Sequence, residues 1–101
     1  LIADEAIRTI EDSGDSPFFL YVPFTAVHTP FDEPPRWLNA AAHIHADRRQ
    51  YAACTQHMDH TIGQMVQALA RSNKLEDTII IFLSDNGGTK RDGFTPARLE
   101  G

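Results

Sequence analysis

The sequence predicts an α/β fold in which parallel strands are joined by a helical crossover, and three features carry that expectation. Two short apolar runs, residues 18–22 and 78–83, each stop at a polar or proline-containing turn. Between them an apolar stripe recurs every three or four positions for about twenty-five residues, long enough for one helix. The resulting order is helix, strand, long loop, helix, strand, loop. Two strands linked through a helix of that length form a parallel, right-handed βαβ unit.

Each element has its own local signal. Residues 1–12, LIADEAIRTIED, place Ile2, Ala6, Ile7 and Ile10 at helical spacing, and Ser13-Gly14 supplies a stop. The run FFLYV at 18–22 is aromatic and β-branched between prolines, as a buried strand would be. Residues 23–36 hold four prolines and exclude regular structure, with a helical turn expected at PPRWLNAA and Trp37 packed inward. A long helix is expected over about 47–72, with Tyr51, Cys54, Met58, Ile62, Met65, Val66 and Leu69 on one stripe and Asn73 as its stop. TIIIFL at 78–83 is apolar on both faces, the pattern of an interior parallel strand.

Composition narrows the function. A chain of 101 residues makes one small domain at most. Its formal net charge of −5 offers no basic stripe for nucleic acid or an anionic membrane, and Arg48-Arg49 is expected on a solvated helix face. No apolar run reaches the ~20 residues of a membrane span. A single cysteine, Cys54, excludes an internal disulfide. Leu1 is not a start methionine and the helical pattern is already under way there, so a processed product or a fragment is expected.

In a parallel sheet the loops leaving the carboxyl ends of the strands share one rim, where ligands bind. That topology would bring His28, after the first strand, towards Asp85 and Asn86, after the second. Asp85 and Asn86 offer hard oxygen donors suited to Ca²⁺ or Mg²⁺, and Gly87-Gly88 lets the backbone turn closely around a ligand. The same four residues are also ordinary turn chemistry. His28 has an imidazole that can donate to an anionic ester near neutral pH, or is simply an exposed loop residue. His57 and His60 stand at i, i+3 on the long helix without a third ligand, and are expected at the surface or rim. Cys54 is expected to pack in the core, and Asp59 to have a structural role.

Three segments in this order and spacing, SPFFLYVPFTAVHTPF, YAACTQHMDHTIGQMVQAL and KLEDTIIIFLSDNGG, resemble the type I sulfatases. The likeness is to the arylsulfatase group that includes the N-acetylgalactosamine-4-sulfatases, and it runs from about Asp15 to Gly88. It implies that residues 1–101 are part of a catalytic domain, a fragment of an alkaline-phosphatase-like α/β/α sandwich. It implies that His28 is catalytic and substrate-binding, in contact with the sulfate group. By the same resemblance Asp85 and Asn86 ligate a divalent cation, Ca²⁺ with Mg²⁺ as the alternative. The substrate would be a sulfated small molecule or glycan, the remainder of a sulfatase chain would be a partner, and export to a periplasm or lysosome is suggested only by the family.

The family's nucleophile is a formylglycine made from Cys or Ser in a C/S-x-P-x-R motif, which Cys54-Thr55-Gln56-His57-Met58 does not match. It is therefore expected upstream of this segment. TPARLEG resembles the start of the family's turn before an active-site lysine, with Arg98 in the arginine place and Leu99 departing from the usual glycine. Lys90 matches nothing. The 101 residues alone are expected to be inactive and marginally stable or self-associating. Two other readings stand beside this one: a phosphodiesterase or phosphonate hydrolase of the same superfamily, and a non-catalytic calcium-binding remnant.

Overall fold

A computed structural model describes residues 2–87. Three α-helices, α1 (Ile2–Asp12), α2 (Pro35–Ala40) and α3 (Ala46–Arg71), and a 3-10 turn at Leu75–Asp77 are its regular elements. Both α1 and α2 pack on α3, which acts as the spine.

Local chemistry sets the limits of each helix. In α1, Ala6 and Ile10 are four residues apart and buried, while Asp4 and Glu5 place negative charge against the positive end of the helix dipole. The Ser13 hydroxyl donates to the Ile10 carbonyl at 2.8 Å, and Gly14 follows with φ of +54°. Pro35 opens α2 at a position where its missing N–H costs nothing. His45 caps α3, its Nδ1 accepting from the Asp47 amide at 3.4 Å, and Arg71 complements the other end. After the C-cap Ser72, Asn73 takes φ of +54°, its amide bonding the Ala70 carbonyl at 3.1 Å and the Lys74 amide the Leu69 carbonyl at 2.9 Å. That pair of bonds is a Schellman ending, with asparagine in the place more often held by glycine.

The core is thin. Ile10, Ala68 and Leu69 are its buried centre, and Ile7, Phe18, Leu20, Met65 and Leu75 lie against it partly covered. The buried face of α3 is Ala53, Cys54, Thr61, Ala68 and Leu69, so small residues carry much of the packing, and Met58, Ile62 and Val66 are only half-buried. A radius of gyration of 16.3 Å exceeds the ~13 Å of a compact domain of about 100 residues. Arg49 ties the turn before α3 to the helix, donating to the Ala42 and Ile44 carbonyls at 3.2 and 3.3 Å, and is half-buried where a solvated residue was expected.

The expected α/β/α sheet is not formed: among the described residues there is no strand and no ladder. Both predicted strands are irregular segments with no ladder partner among the described residues. Along 18–22 the side chains alternate, with Phe18, Leu20 and Val22 half-buried on the helices and Phe19 and Tyr21 exposed at 93% and 76%. Beyond Thr78 the second segment leaves the helices, and all five residues from Ile79 to Leu83 are exposed. The physical reason is that an apolar, β-branched run specifies extended backbone, whereas a strand also needs lateral N–H and C=O partners. The two runs supply the first and not the second, so the parallel βαβ assignment is corrected to a helical layer with two unpaired extended arms.

Candidate functional site

His28 follows the first extended segment. It is exposed, its amide closes a turn onto the Thr25 carbonyl at 2.9 Å, and its ring Nδ1 meets the Thr29 carbonyl at 2.6 Å. A carbonyl only accepts, so Nδ1 carries the proton and Nε2 is the nitrogen left for a ligand. In the neutral ring Nε2 accepts. In the imidazolium it donates, which is the form an anionic ester requires.

Asp85 and Asn86 end the second segment and are exposed. Asp85 Oδ1 accepts from the Asn86 amide at 3.0 Å and Oδ2 from Asn86 Nδ2 at 3.4 Å. The Gly87 amide donates to Ser84 Oγ at 3.1 Å, with Gly87 at φ of +75°, where a side chain would be strained. Because the Asn86 amide nitrogen faces Asp85, its Oδ1 is on the other side and available. A carboxylate and a carboxamide oxygen fit a hard cation in kind. They are two donors, and no cluster of three metal-ligating side chains occurs among the described residues.

No hydrogen bond or ion pair joins His28 to Asp85 or Asn86. With the sheet absent, the topological ground for placing them on one rim is removed, and the residue-by-residue resemblance is what links them. Two hollows in the surface, one of about 270 Å³ lined by Ala70, Asn73, Leu75 and Glu76 and one between α1 and Leu20 to Val22, contain none of the three. Gly88, Lys90, Arg98 and Leu99 lie outside the described residues.

A second polar cluster escaped the sequence reading. Glu33, in the proline-rich loop, has a side chain only 12% exposed, and its Oε2 accepts from His57 Nδ1 at 2.7 Å. The Cys54 thiol, one turn earlier on α3, lies close enough to feel the same carboxylate. Burial first, then the hydrogen bond and negative charge of Glu33, push that thiol up to about 11 from 9.0. Cys54 is thus a buried, protonated thiol, which bears out its expected place in the core. Trp37 stacks on His57 with centroids 5.1 Å apart and planes at 19°, and leans on His60 at 5.2 Å. Phe31 meets Tyr51 edge-on at 6.3 Å. Glu33 and His57 are 24 residues apart on a loop and a helix, so no periodic signal could have paired them.

Comparison with known proteins bears on the whole chain. The sulfatase family model matches residues 1–97. Arylsulfatase J of Mus musculus is 38% identical over 86 residues, covering 84% of this chain and 14% of that protein. A sulfatase of Formosa agariphila is 34% identical over 105 residues, covering 86% of this chain and 18% of the relative. An N-acetylgalactosamine-6-O-sulfatase of Bacteroides thetaiotaomicron is 29% identical over 100 residues, covering 99% and 19%. The chain therefore spans less than one fifth of the length of these relatives.

Proposed function

The chain belongs to the sulfatase family, and on that footing we propose that it serves metal-dependent hydrolysis of sulfate esters as part of a sulfatase catalytic domain. The observation that carries this reading is the family match over residues 1–97, which includes both polar corners. His28 contacts the sulfate. With its Nδ1 proton committed to Thr29, the imidazolium donates from Nε2 to a sulfate oxygen. Asp85 and Asn86 would hold the cation, Ca²⁺ or Mg²⁺, with the Ser84–Gly87 turn fixing their backbone. A cation so held would polarise the sulfate oxygens towards attack.

The formylglycine nucleophile comes from outside these 101 residues, since no C/S-x-P-x-R motif occurs in them and Cys54 is buried. The isolated chain is accordingly inactive. The substrate is a sulfated small molecule or glycan. The test is a graft of residues 1–97 into the matching part of mouse arylsulfatase J, assayed on a fluorogenic aryl sulfate. The expected result is turnover abolished by chelation, and reduced at least about a hundredfold by His28→Ala or Asp85→Ala. A graft that turns over equally well with either alanine would overturn the assignment of those residues.

A further inference from the structure

We propose that Glu33 and His57 form a latch through which α3 sets the position of the loop bearing His28, making both of them positioning residues for the sulfate contact. This rests on the role given to His28 above. The latch itself is read from geometry. Residues 30–35 include Pro30, Pro34 and Pro35, which have no backbone N–H to donate, so side chains do much of the docking of this loop. Those side chains are Phe31 on Tyr51 and Glu33 on His57, beside Cys54, while Trp37 of the adjoining α2 covers His57 and His60. The receiving residues Tyr51, Cys54, His57 and His60 are spaced three apart over successive turns of α3.

Of these contacts the carboxylate is the directional one. Aromatic and apolar contacts tolerate sliding, whereas a carboxylate held by the His57 ring at 2.7 Å fixes the register of loop against helix. The register reaches His28 through the backbone. Glu33 is five residues from His28, and the carbonyl that orients the His28 ring belongs to Thr29, bonded directly to Pro30 at the start of the latched loop. A shift of the loop therefore turns the Thr29 carbonyl and with it Nε2. An apolar pair at these positions would hold the loop down as firmly but would not fix where it sits. That is the difference a positioning role predicts.

The experiment uses the 101-residue chain and NMR of its histidine rings, without substrate or metal. Glu33→Gln keeps the shape and removes the charge, and His57→Leu removes the donor. Each is expected to move the His28 ring signals while leaving His45 signals and the far-ultraviolet dichroism unchanged, and the double variant is expected to move His28 no further than either single one. Glu33→Asp, which withdraws the carboxylate by one methylene, should displace His28 in the same direction with the fold retained, so loss of folding in another variant does not remove the test. His28 signals unmoved in Glu33→Asp and in whichever of the other two variants folds, while the Trp37 indole signal shifts, would overturn the proposal by showing a purely local contact. Sulfate is absent throughout, so failure of the latch is separate from failure of the sulfatase reading. Addition of inorganic sulfate afterwards probes the latter alone.

Discussion

Raising the pH from 8 to 11 should unfold this protein in a way that depends on Cys54. The thiol is 5% exposed and its pKa stands at about 11 against 9.0 for the ordinary group. Desolvation is the main cause, reinforced by the hydrogen bond and charge of Glu33. Between those two values the unfolded chain releases the proton and the folded chain retains it. Stability contributed by the protonated thiol is therefore complete below pH 9 and is lost as the pH rises through 11. The gap corresponds to roughly 2–3 kcal/mol at its limit, a large part of the stability available to so thin a core. Because high pH also acts on the rest of the chain, the quantity to measure is the difference between wild type and Cys54→Ala. Urea unfolding at pH 8 and pH 11, followed by Trp37 fluorescence, should show the wild type losing about 2 kcal/mol more than the variant. Equal losses in the two proteins would refute the burial argument, and with it the exclusion of Cys54 as a reactive thiol.

Two further perturbations separate the parts of the molecule. Leu69→Ala, at the centre of the core, should cost about 2–4 kcal/mol in chemical denaturation, whereas Ile79→Ala, 89% exposed, should stay within about 0.5 kcal/mol. A similar cost at both would mean that the second arm is packed. The exposed apolar arm should also drive self-association, because an unpaired extended segment offers free backbone groups to another copy. Sedimentation equilibrium should give a mass that rises with concentration for the wild type and a monomer for Ile79→Lys/Ile81→Lys; a wild type that stays monomeric at high concentration would contradict this.

What was legible in the sequence was what is encoded locally. The spacing of Ala6 and Ile10, the Gly14 and Asn73 stops, and the stripe of α3 each depend on residues within a turn or two, and α1 and α3 formed where those signals stood. The α3 stripe was read through its large residues, while Ala53, Thr61 and Ala68 carry much of the buried face, since close helix approach selects small side chains. Strand pairing was not legible. Residues 18–22 and 78–83 have the composition of strands, but pairing is a property of two segments at once. The latch of Glu33 on His57 and Cys54 escaped for the same reason. His28, Asp85 and Asn86 were singled out by an expected sheet rim and by resemblance to a family pattern, and with the sheet absent among the described residues only the resemblance supports their proposed roles.

The central claim, that His28 and the Asp85–Asn86 corner serve one cation-and-sulfate pocket, has a direct test in paramagnetic broadening. Mn²⁺ would be titrated into the 101-residue chain while the Asn86 amide and the His28 ring are followed by NMR. The account predicts that both signals broaden together and that Asp85→Ala removes the effect on both. Broadening of Asn86 with His28 untouched would place the two corners apart and contradict it.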